Sequence, residues 1–427
     1  MKDIFYKTLH HYFPKLNRWI SNLPDPRQQK STRYRLNTLI WVGIKMFLLK
    51  LGSRRSINFR FNDENFIRNL SKLCKKAIAG IPNDVTLSNL LKRIDPACIQ
   101  EIVIKMLKTL LKKRVLEKFR LFGYYLVAID GSGHLSFKKR HCPYCLERKQ
   151  DNGVRYMHQV LSARLVARNG LSLPMGSEFI NNKENSDYKQ DCELKAFYRL
   201  LKMLKDKFSR TKICLLLDGL YANKRVFDIC SKNKWKYIIV LKKGSIKSVY
   251  KEFEALKECS GKNIRKYETE NVCQTYRWVN RIFYQDHYLN VLECLEFDKK
   301  KKKETKFLWI LNYKITKNNC VKLGNYGGRL RWKIENEGFN SLKNGGYNME
   351  HAYSHDIVGL KNFYYILQIA HMINQLIEKG SLIRPIFKSK IGSIENIARQ
   401  LLESLKKAVI EVKTIENERF QVRLDTS

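Results

Sequence analysis

Two apolar runs that each end in an aspartate followed by a glycine most strongly constrain the fold of this chain. The first run, Tyr124–Ile129, is followed by Asp130, and the second, Ile213–Leu217, is followed by Asp218. An uninterrupted apolar run that a glycine turn stops is typical of a buried strand. We therefore expect both aspartates to lie at one edge of a single sheet.

A third acidic residue lies in a different kind of segment. Glu335 belongs to the stretch Arg329–Asn336, which is basic and lacks the alternation of a strand, so it predicts a helix facing the same sheet edge. Two strand-end carboxylates and one from a helix could hold a pair of divalent cations through hard oxygen ligands. For either aspartate alone, an Asx turn or a helix cap is the alternative.

The charge balance points to a polyanionic partner. The chain has 82 Lys and Arg against 40 Asp and Glu, a formal net charge of +42. Neutralising phosphates with such a surface releases counterions and gives strong, salt-sensitive affinity, so a nucleic acid is the expected partner. The alternative is that a lysine-rich composition reflects only an AT-rich coding sequence.

No membrane partner and no oxidising compartment are expected. The longest apolar stretch, Leu39–Leu51, contains two lysines and is too short to span a bilayer, and no secretory signal opens the chain. Eleven cysteines without a regular framework, in a chain long enough to bury a core, indicate reduced thiols and a cytoplasmic location.

The length and the changes of pattern predict three regions. Residues 1–118 read as a helical DNA-binding domain, with a purely structural helical cap as the alternative, and Asn83 is expected to cap one of its helices. Residues 119–380 read as an α/β catalytic domain with a mixed sheet and an antiparallel β-rich insertion at about 244–306, and residues 381–427 as a helical C-terminal region. The expected strands of the catalytic domain cover 124–129, 156–168, 171–180, 213–217, 237–241 and 307–311.

Four short motifs stand in a characteristic order along the chain. They are Ala128–Ser132, Lys189–Glu193, Leu217–Tyr221 and Arg331–Asn336, and the three acids are separated by 218 − 130 = 88 and 335 − 218 = 117 residues. In this order the motifs resemble the bacterial insertion-sequence DDE transposases, specifically the cut-and-paste group with a Tyr-Arg-Glu-Lys signature. The resemblance runs from about residue 25 to about residue 379.

This resemblance implies a fold, an activity and a set of partners. The fold would be a ribonuclease-H-like core with a β-rich insertion, and Asp130, Asp218 and Glu335 would be the catalytic acids that bind two Mg²⁺ ions, with Mn²⁺ able to substitute. The protein would cleave and join double-stranded DNA at the terminal inverted repeats of its own element and insert it into target DNA. It would act as a homodimer assembled on DNA, at the nucleoid of a bacterial cytoplasm. A metal-dependent nuclease without strand transfer and a non-catalytic, domesticated DNA-binding protein remain as alternatives.

The signature around the last acid is only partly present. It asks for a tyrosine three residues before Arg331 and a lysine seven residues after Glu335, but other residues occupy both positions, and the nearest substitutes are Tyr326 and Lys343. The resemblance assigns DNA binding to Tyr326, Arg331 and Lys343. The two cationic side chains could hold phosphates, and Arg can bind a phosphate bidentately. An ordinary basic helix face is the alternative.

The offset in the signature leaves Glu337 as an alternative third acid. On an α-helix with about 100° per residue, Glu335 and Glu337 point about 200° apart, so only one of them can face the aspartates. The sequence context favours Glu335, and Gly338 is expected to end the regular turn. We expect the neighbouring Trp332 to lie in the core.

One Cys-x-x-Cys motif suggests a separate metal site. Cys142 and Cys145 follow His141 directly, and His134 and His158 are close in sequence. A structural zinc ion needs four ligands, which the two cysteines and one or two of the histidines could supply. The chain has no second such motif, so free thiols in a loop are the alternative to a zinc site.

Overall fold

The computed structural model describes residues 1–28, 32–151, 153–182, 190–259, 261–386, 392–418 and 420–425. Over these residues, ten β-strands form one mixed sheet, and helices both precede and follow it along the chain. The predicted α/β class, with a mixed sheet and helical flanks, is therefore confirmed. Lys189 of the second motif lies outside the described residues.

Seven α-helices precede the sheet in the described part of the chain. They are α1 (Lys2–Tyr12), α2 (Leu16–Ser21), α3 (Leu36–Leu48), α4 (Ser56–Arg60), α5 (Glu64–Cys74), α6 (Asp84–Leu91) and α7 (Pro96–Lys112). Side-chain caps explain where three of them begin, because Asp63, Asn83 and Asp95 accept hydrogen bonds from the first-turn backbone of α5, α6 and α7. The expected cap at Asn83 is confirmed.

The sheet combines antiparallel and parallel pairs. Its strands are β1 (Tyr125–Phe137), β2 (Leu146–Gln150), β3 (Gly153–Val166), β4 (Ser172–Ile180), β5 (Ile213–Leu217), β6 (Lys236–Val240), β7 (Ile264–Glu268), β8 (Val272–Tyr284), β9 (His287–Asp298) and β10 (Lys303–Leu311). The spatial order is β2-β3-β1-β5-β6-β10-β9-β8-β7, and β4 pairs with β3 as well. Among the strands of the described residues, the pairs β1–β5 and β5–β6 are parallel and the others are antiparallel.

Helical crossovers account for the parallel pairs. Helix α8 (Glu193–Lys207) connects β4 to β5, and α9 (Lys224–Lys232) connects β5 to β6. The segment expected to be a β-rich insertion contains α10 (Lys247–Cys259), β7, β8 and β9. Its strands continue the same sheet, because β10 pairs with β9 on one side and with β6 on the other.

The described part of the chain after β10 consists of helices and helical turns joined by non-helical segments. It forms α11 (Cys320–Asn325), a 3₁₀ turn (Gly328–Trp332), a π-helix (Ile334–Asn340), α12 (Ser341–Asn344), α13 (Ile357–Glu378), α14 (Arg384–Ile386), α15 (Ile394–Lys407) and α16 (Val412–Asn417). The expected helical C-terminal region contains α14, α15 and α16 among its described residues. Every residue from Asn362 to Ile377 in α13 is buried, because this helix packs against α3, α7 and β4.

Buried hydrophobic side chains form one continuous cluster that extends from Phe5 to Leu424. The N-terminal helices therefore share their apolar contacts with the helix that covers the sheet. Among the described residues, none of the helices is both long enough and apolar enough to cross a membrane.

Candidate active site

The register of two parallel strands places the first two acids side by side. In the pairing of β1 with β5, Ala128 lies opposite Leu216, and two further residues along each strand lead to Asp130 and Asp218. Because the strands are parallel and adjacent, the two acids lie side by side, with Asp130 inside β1 and Asp218 directly after β5. The expectation that a glycine turn ends the first strand is wrong, because β1 continues through Gly131 and stays paired with β3, whereas β5 ends at Leu217 as expected.

The third acid, Glu335, lies in the π-helix and approaches the two aspartates from there. The Arg331 guanidinium links it to the strands, since Nη1 lies 3.3 Å from Asp130 Oδ2 and 3.1 Å from Glu335 Oε1. Asp130, Asp218 and Glu335 all line one cleft of about 640 Å³. The structure therefore brings the three predicted acids together.

The two aspartates have different electrostatic surroundings. Burial raises the pKa of Asp130 to about 7; Arg331 opposes this shift, and the negative charge of Glu335 adds to it. Burial also acts on Asp218, but a 2.9 Å hydrogen bond from Lys242 Nζ, a hydrogen bond from the Gly219 backbone and the charges of Lys242 and Arg331 together outweigh it and hold the pKa of Asp218 below its usual value. The cleft thus contains one carboxylate whose ionised form a lysine stabilises and one whose ionised form burial disfavours.

A fourth carboxylate, Glu193, lies against the site. It begins α8, accepts a hydrogen bond from Tyr221 Oη, and adds to the raised pKa of Asp130. A Cβ atom on Gly131 would lie 2.7 Å from Glu193 Oε2, so only glycine leaves room for this carboxylate. Sequence reasoning did not assign Glu193 to the site, although it closes one of the four motifs.

The alternative third acid faces another part of the molecule. Glu337 forms an ion pair with Lys333 and lines a separate cavity of about 340 Å³, together with His371 and Lys379. The helix that carries both glutamates is a π-helix, not the expected α-helix, and Gly338 lies within it instead of ending it. Glu335, and not Glu337, is the glutamate at the cleft.

Of the three residues expected to bind DNA, only Arg331 lines the cleft. Tyr326 lies beneath the Arg168 guanidinium, 4.5 Å from ring centroid to Cζ, and lines a different cavity of about 260 Å³. Lys343 forms an ion pair of 2.6 Å with Glu350. The structure therefore does not bring Tyr326 and Lys343 to the acids.

The expectation that Trp332 lies in the core is wrong. The 3₁₀ turn directs Arg331 inward, where it is 7% exposed, and leaves Trp332 51% exposed at the wall of the cleft. At Gly328, where the signature asks for tyrosine, an added Cβ would lie 2.4 Å from the Trp309 ring. Close packing against that ring explains why no side chain occupies this position.

Cationic side chains surround the acids. Lys242, Lys243, Lys306 and Arg329 all line the cleft. Three of them pair with carboxylates, Lys242 with Asp218, Lys306 with Glu293 and Arg329 with Glu296. Cationic side chains at the rim of a cleft can contact a phosphate backbone.

The residues of the Cys-x-x-Cys motif are also brought together. His141, Cys142, Cys145 and His158 place one ligand atom each within 4.8 Å of the others. His134 does not join them, because it is buried and its ring packs edge-on against Phe179 and Tyr364. The sequence alone left open which histidine would complete such a set.

Comparison with known proteins gives no further assignment. None of the protein-family models matches this chain, and a search of curated proteins finds no significant match.

Proposed function

We propose that this protein is a DDE-type DNA transposase that cleaves and joins DNA at the terminal inverted repeats of its own insertion sequence. The observation that carries the proposal is the convergence of Asp130, Asp218 and Glu335 on one cleft with a cationic rim. Carboxylates grouped in this way, next to a surface suited to phosphates, fit two-metal phosphoryl transfer.

The arrangement of the strands supports a ribonuclease-H-like core. Strands β4, β3 and β1 are antiparallel, and the sheet continues through β5 and β6, which are parallel to β1 and are reached through α8 and α9. Asp130 lies in β1, and Asp218 directly follows the adjacent strand β5. The extra strands β7–β10 extend the sheet beyond β6 and do not separate β1 from β5.

The donor set fits divalent cations. Asp130, Asp218 and Glu335 offer hard oxygen ligands, and burial raises the pKa of Asp130 to about 7, an unfavourable effect on its ionised form that a bound cation would relieve. Bound there, two Mg²⁺ ions would supply an activated oxygen nucleophile and stabilise the leaving oxygen of the scissile phosphate, and Mn²⁺ accepts the same ligands.

Residues of the chain itself would orient the acids and the DNA. Arg331 fixes Asp130 relative to Glu335, and Lys242 fixes Asp218. Lys243 and Arg329, at the rim, would contact phosphates on either side of the reacting one. Tyr326 and Lys343 remain candidates for DNA contacts outside the cleft.

The test uses DNA that carries the inverted repeats found beside the reading frame. In Mg²⁺, the wild-type protein should produce nicks with free 3′-hydroxyls at the repeat ends and then join these ends to target DNA. Asp130→Asn and Asp218→Asn should bind the same DNA but leave it uncut, since each loses a charged metal ligand and keeps the basic surface. Asp228→Asn, at an exposed carboxylate on α9, is the matched control and should cut normally.

The possible outcomes separate the proposal from its alternatives. Nicks without joined products, with the protein assembled on two ends, would indicate a nuclease. Binding without cutting by the wild-type protein would indicate a DNA-binding protein that has lost catalysis. Normal cutting by either aspartate variant would show that the site is elsewhere.

A further inference from the structure

We propose that His141, Cys142, Cys145 and His158 bind one structural Zn²⁺ ion. Three of these residues lie in the loop between β1 and β2, and His158 lies in β3. The two sulfur atoms are 3.4 Å apart, and His158 Nε2 lies 3.4 Å from Cys142 Sγ and 3.6 Å from Cys145 Sγ. His141 Nδ1 lies 3.2 Å from Cys145 Sγ.

These distances fit a tetrahedral zinc site. With Zn–S bonds of about 2.3 Å and Zn–N bonds of about 2.0–2.1 Å, ligand atoms on a tetrahedron lie roughly 3.3–3.8 Å apart. A disulfide is excluded, because its sulfur atoms would be about 2.05 Å apart and both thiols are free. Two thiolates and two imidazoles select zinc over the magnesium expected at the acidic cleft.

The backbone holds the two cysteines in place for a common ligand. The Cys145 amide donates a hydrogen bond to the Cys142 carbonyl (3.4 Å), which closes the turn that brings the sulfur atoms together. Asn182 then fixes the turn from outside, since its side chain donates to the Cys145 carbonyl (2.8 Å) and its amide donates to the Tyr144 carbonyl (3.2 Å). These hydrogen bonds hold the two sulfur atoms on the same side of the turn as His158.

The location of the cluster indicates what the ion would do. Strand β2 pairs with β3 at the end of the sheet, and Glu147–Gln150 are exposed, so this part of the sheet has little apolar contact of its own. A two-stranded ribbon without a buried face is marginally stable in water. A zinc ion bridging the loop to β3 would supply the missing stability.

The zinc-bridged segment, residues 138–155, also carries exposed positive charge. Its exposed basic side chains are Lys138, Lys139, Arg140, Arg148, Lys149 and Arg155.

Four protein ligands leave no open coordination position, so the ion would be structural and not catalytic. His158 lies four residues (162 − 158) from Ser162, which pairs with Asp130. That separation is roughly 13 Å along the strand, so the two metal sites are distinct.

Metal content tests the proposal without reference to DNA cleavage. The full-length protein, produced in zinc-supplemented medium and dialysed against a weak chelator, should retain one zinc ion per chain by plasma mass spectrometry. Cys142→Ser and His158→Asn should lower the retained zinc by about tenfold or more. Cys259→Ser, at an exposed cysteine, and His355→Asn, whose ring centroid lies 5.8 Å from that of His141, are controls that should keep it.

Two further measurements on the wild-type protein apply if a variant fails to fold. Cobalt-loaded protein should show the charge-transfer and d–d absorption of a tetrahedral thiolate site, and zinc should abolish it. Zinc removal should make residues 138–155 sensitive to limited proteolysis before the rest of the chain. Wild-type protein that retains less than about a tenth of an equivalent of zinc and shows no cobalt absorption would overturn the proposal, as would full zinc retention by Cys142→Ser.

Discussion

The buried position of Asp130 makes its ionised carboxylate unfavourable to the stability of the fold. Burial is the main reason that its pKa rises from 3.8 to about 7, and the nearby Glu335 adds to the effect. In the unfolded chain this carboxyl would titrate near its usual value. Folding therefore favours the protonated form, so the stabilisation is complete below about pH 4 and is lost as the pH rises through about 7.

This sign gives a prediction for the metal-free protein. At pH 8, Asp130→Asn should raise the free energy of unfolding by roughly 1–3 kcal/mol, because asparagine removes the buried charge but also leaves Arg331 with one partner fewer. Near pH 4 the two proteins should be equally stable. Chemical denaturation at both pH values, in buffer without divalent cations, measures the difference.

The controls use a second aspartate and a metal. Asp228→Asn, which changes an exposed carboxylate, should give no gain at pH 8. Adding Mg²⁺ should stabilise the wild-type protein and not Asp130→Asn, because only the former keeps the full ligand set. A variant no more stable than wild type at pH 8 would contradict the account of Asp130.

Single residues also show where sequence reasoning succeeds and where it stops. Asp130 and Asp218 could be predicted because each follows a strongly apolar run, which is a local signal. Glu193 could not be assigned, because Asp130 is distant in sequence and only the folded sheet brings the two together, and the sequence left open whether His134 or His158 would join the cysteines. Trp332 was predicted to be buried from its residue type, but an irregular helical turn decides its exposure.

Among the elements, the π-helix Ile334–Asn340 decides which acid faces the cleft. Glu335 pairs with Arg331 and Glu337 with Lys333, so each acid is bound to a cation four residues earlier, but the two acids face different cavities. Extra residues wound into one helical turn are uncommon and recur at functional sites. The sequence predicts a helix here but carries no local signal for this winding.

A buried arginine holds the π-helix in position. A Cβ atom on Gly338 would lie 3.1 Å from Arg164 Cδ. Arg164 is fully buried, and its guanidinium donates hydrogen bonds to Gln368 Oε1 (2.7 Å) and Ser172 Oγ (2.9 Å). Close contact with a side chain that is itself fixed leaves little freedom for the helix to rotate.

Because the π-helix turns Glu335 and Glu337 toward different cavities, we predict different phenotypes for variants of the two. Glu335→Gln should abolish cleavage of inverted-repeat DNA while DNA binding persists, since a metal ligand is lost and the surface is not otherwise changed. Glu337→Gln should retain most of the cleavage, because its side chain lies outside the cleft. Cleavage and binding assays on matched preparations measure both.

Exchanged phenotypes would transfer the catalytic role to Glu337 and require a different helix register. Cleavage by both variants would remove the helix-borne acid from the mechanism.

At the scale of the whole molecule, the sheet and the hydrophobic core continue across the region boundaries that the sequence pattern predicts. Composition and periodicity separate a helical N-terminal region, an α/β region and an insertion. In the structure, α13 packs against both the N-terminal helices and β4, and β7–β10 extend the central sheet. Such pairings join residues far apart in the chain, and a local pattern cannot specify them.

The formal charge of +42 gives the last prediction, which concerns where DNA lies on the molecule. Binding to duplex DNA should weaken steeply as salt rises, with log–log slope close to −0.9 for each phosphate neutralised. Lys243→Gln, at the cleft, should weaken binding to all sequences and make the slope shallower by about 1. Lys301→Gln changes an equally basic residue in the exposed turn between β9 and β10, and it should leave the slope unchanged.

Titrations by fluorescence anisotropy in Mg²⁺-free buffer compare the wild-type protein with the two variants. Equal losses for both variants would mean that the charge attracts DNA diffusely over the surface, whereas a loss confined to Lys243→Gln places the phosphate backbone along the cleft that holds the three acids.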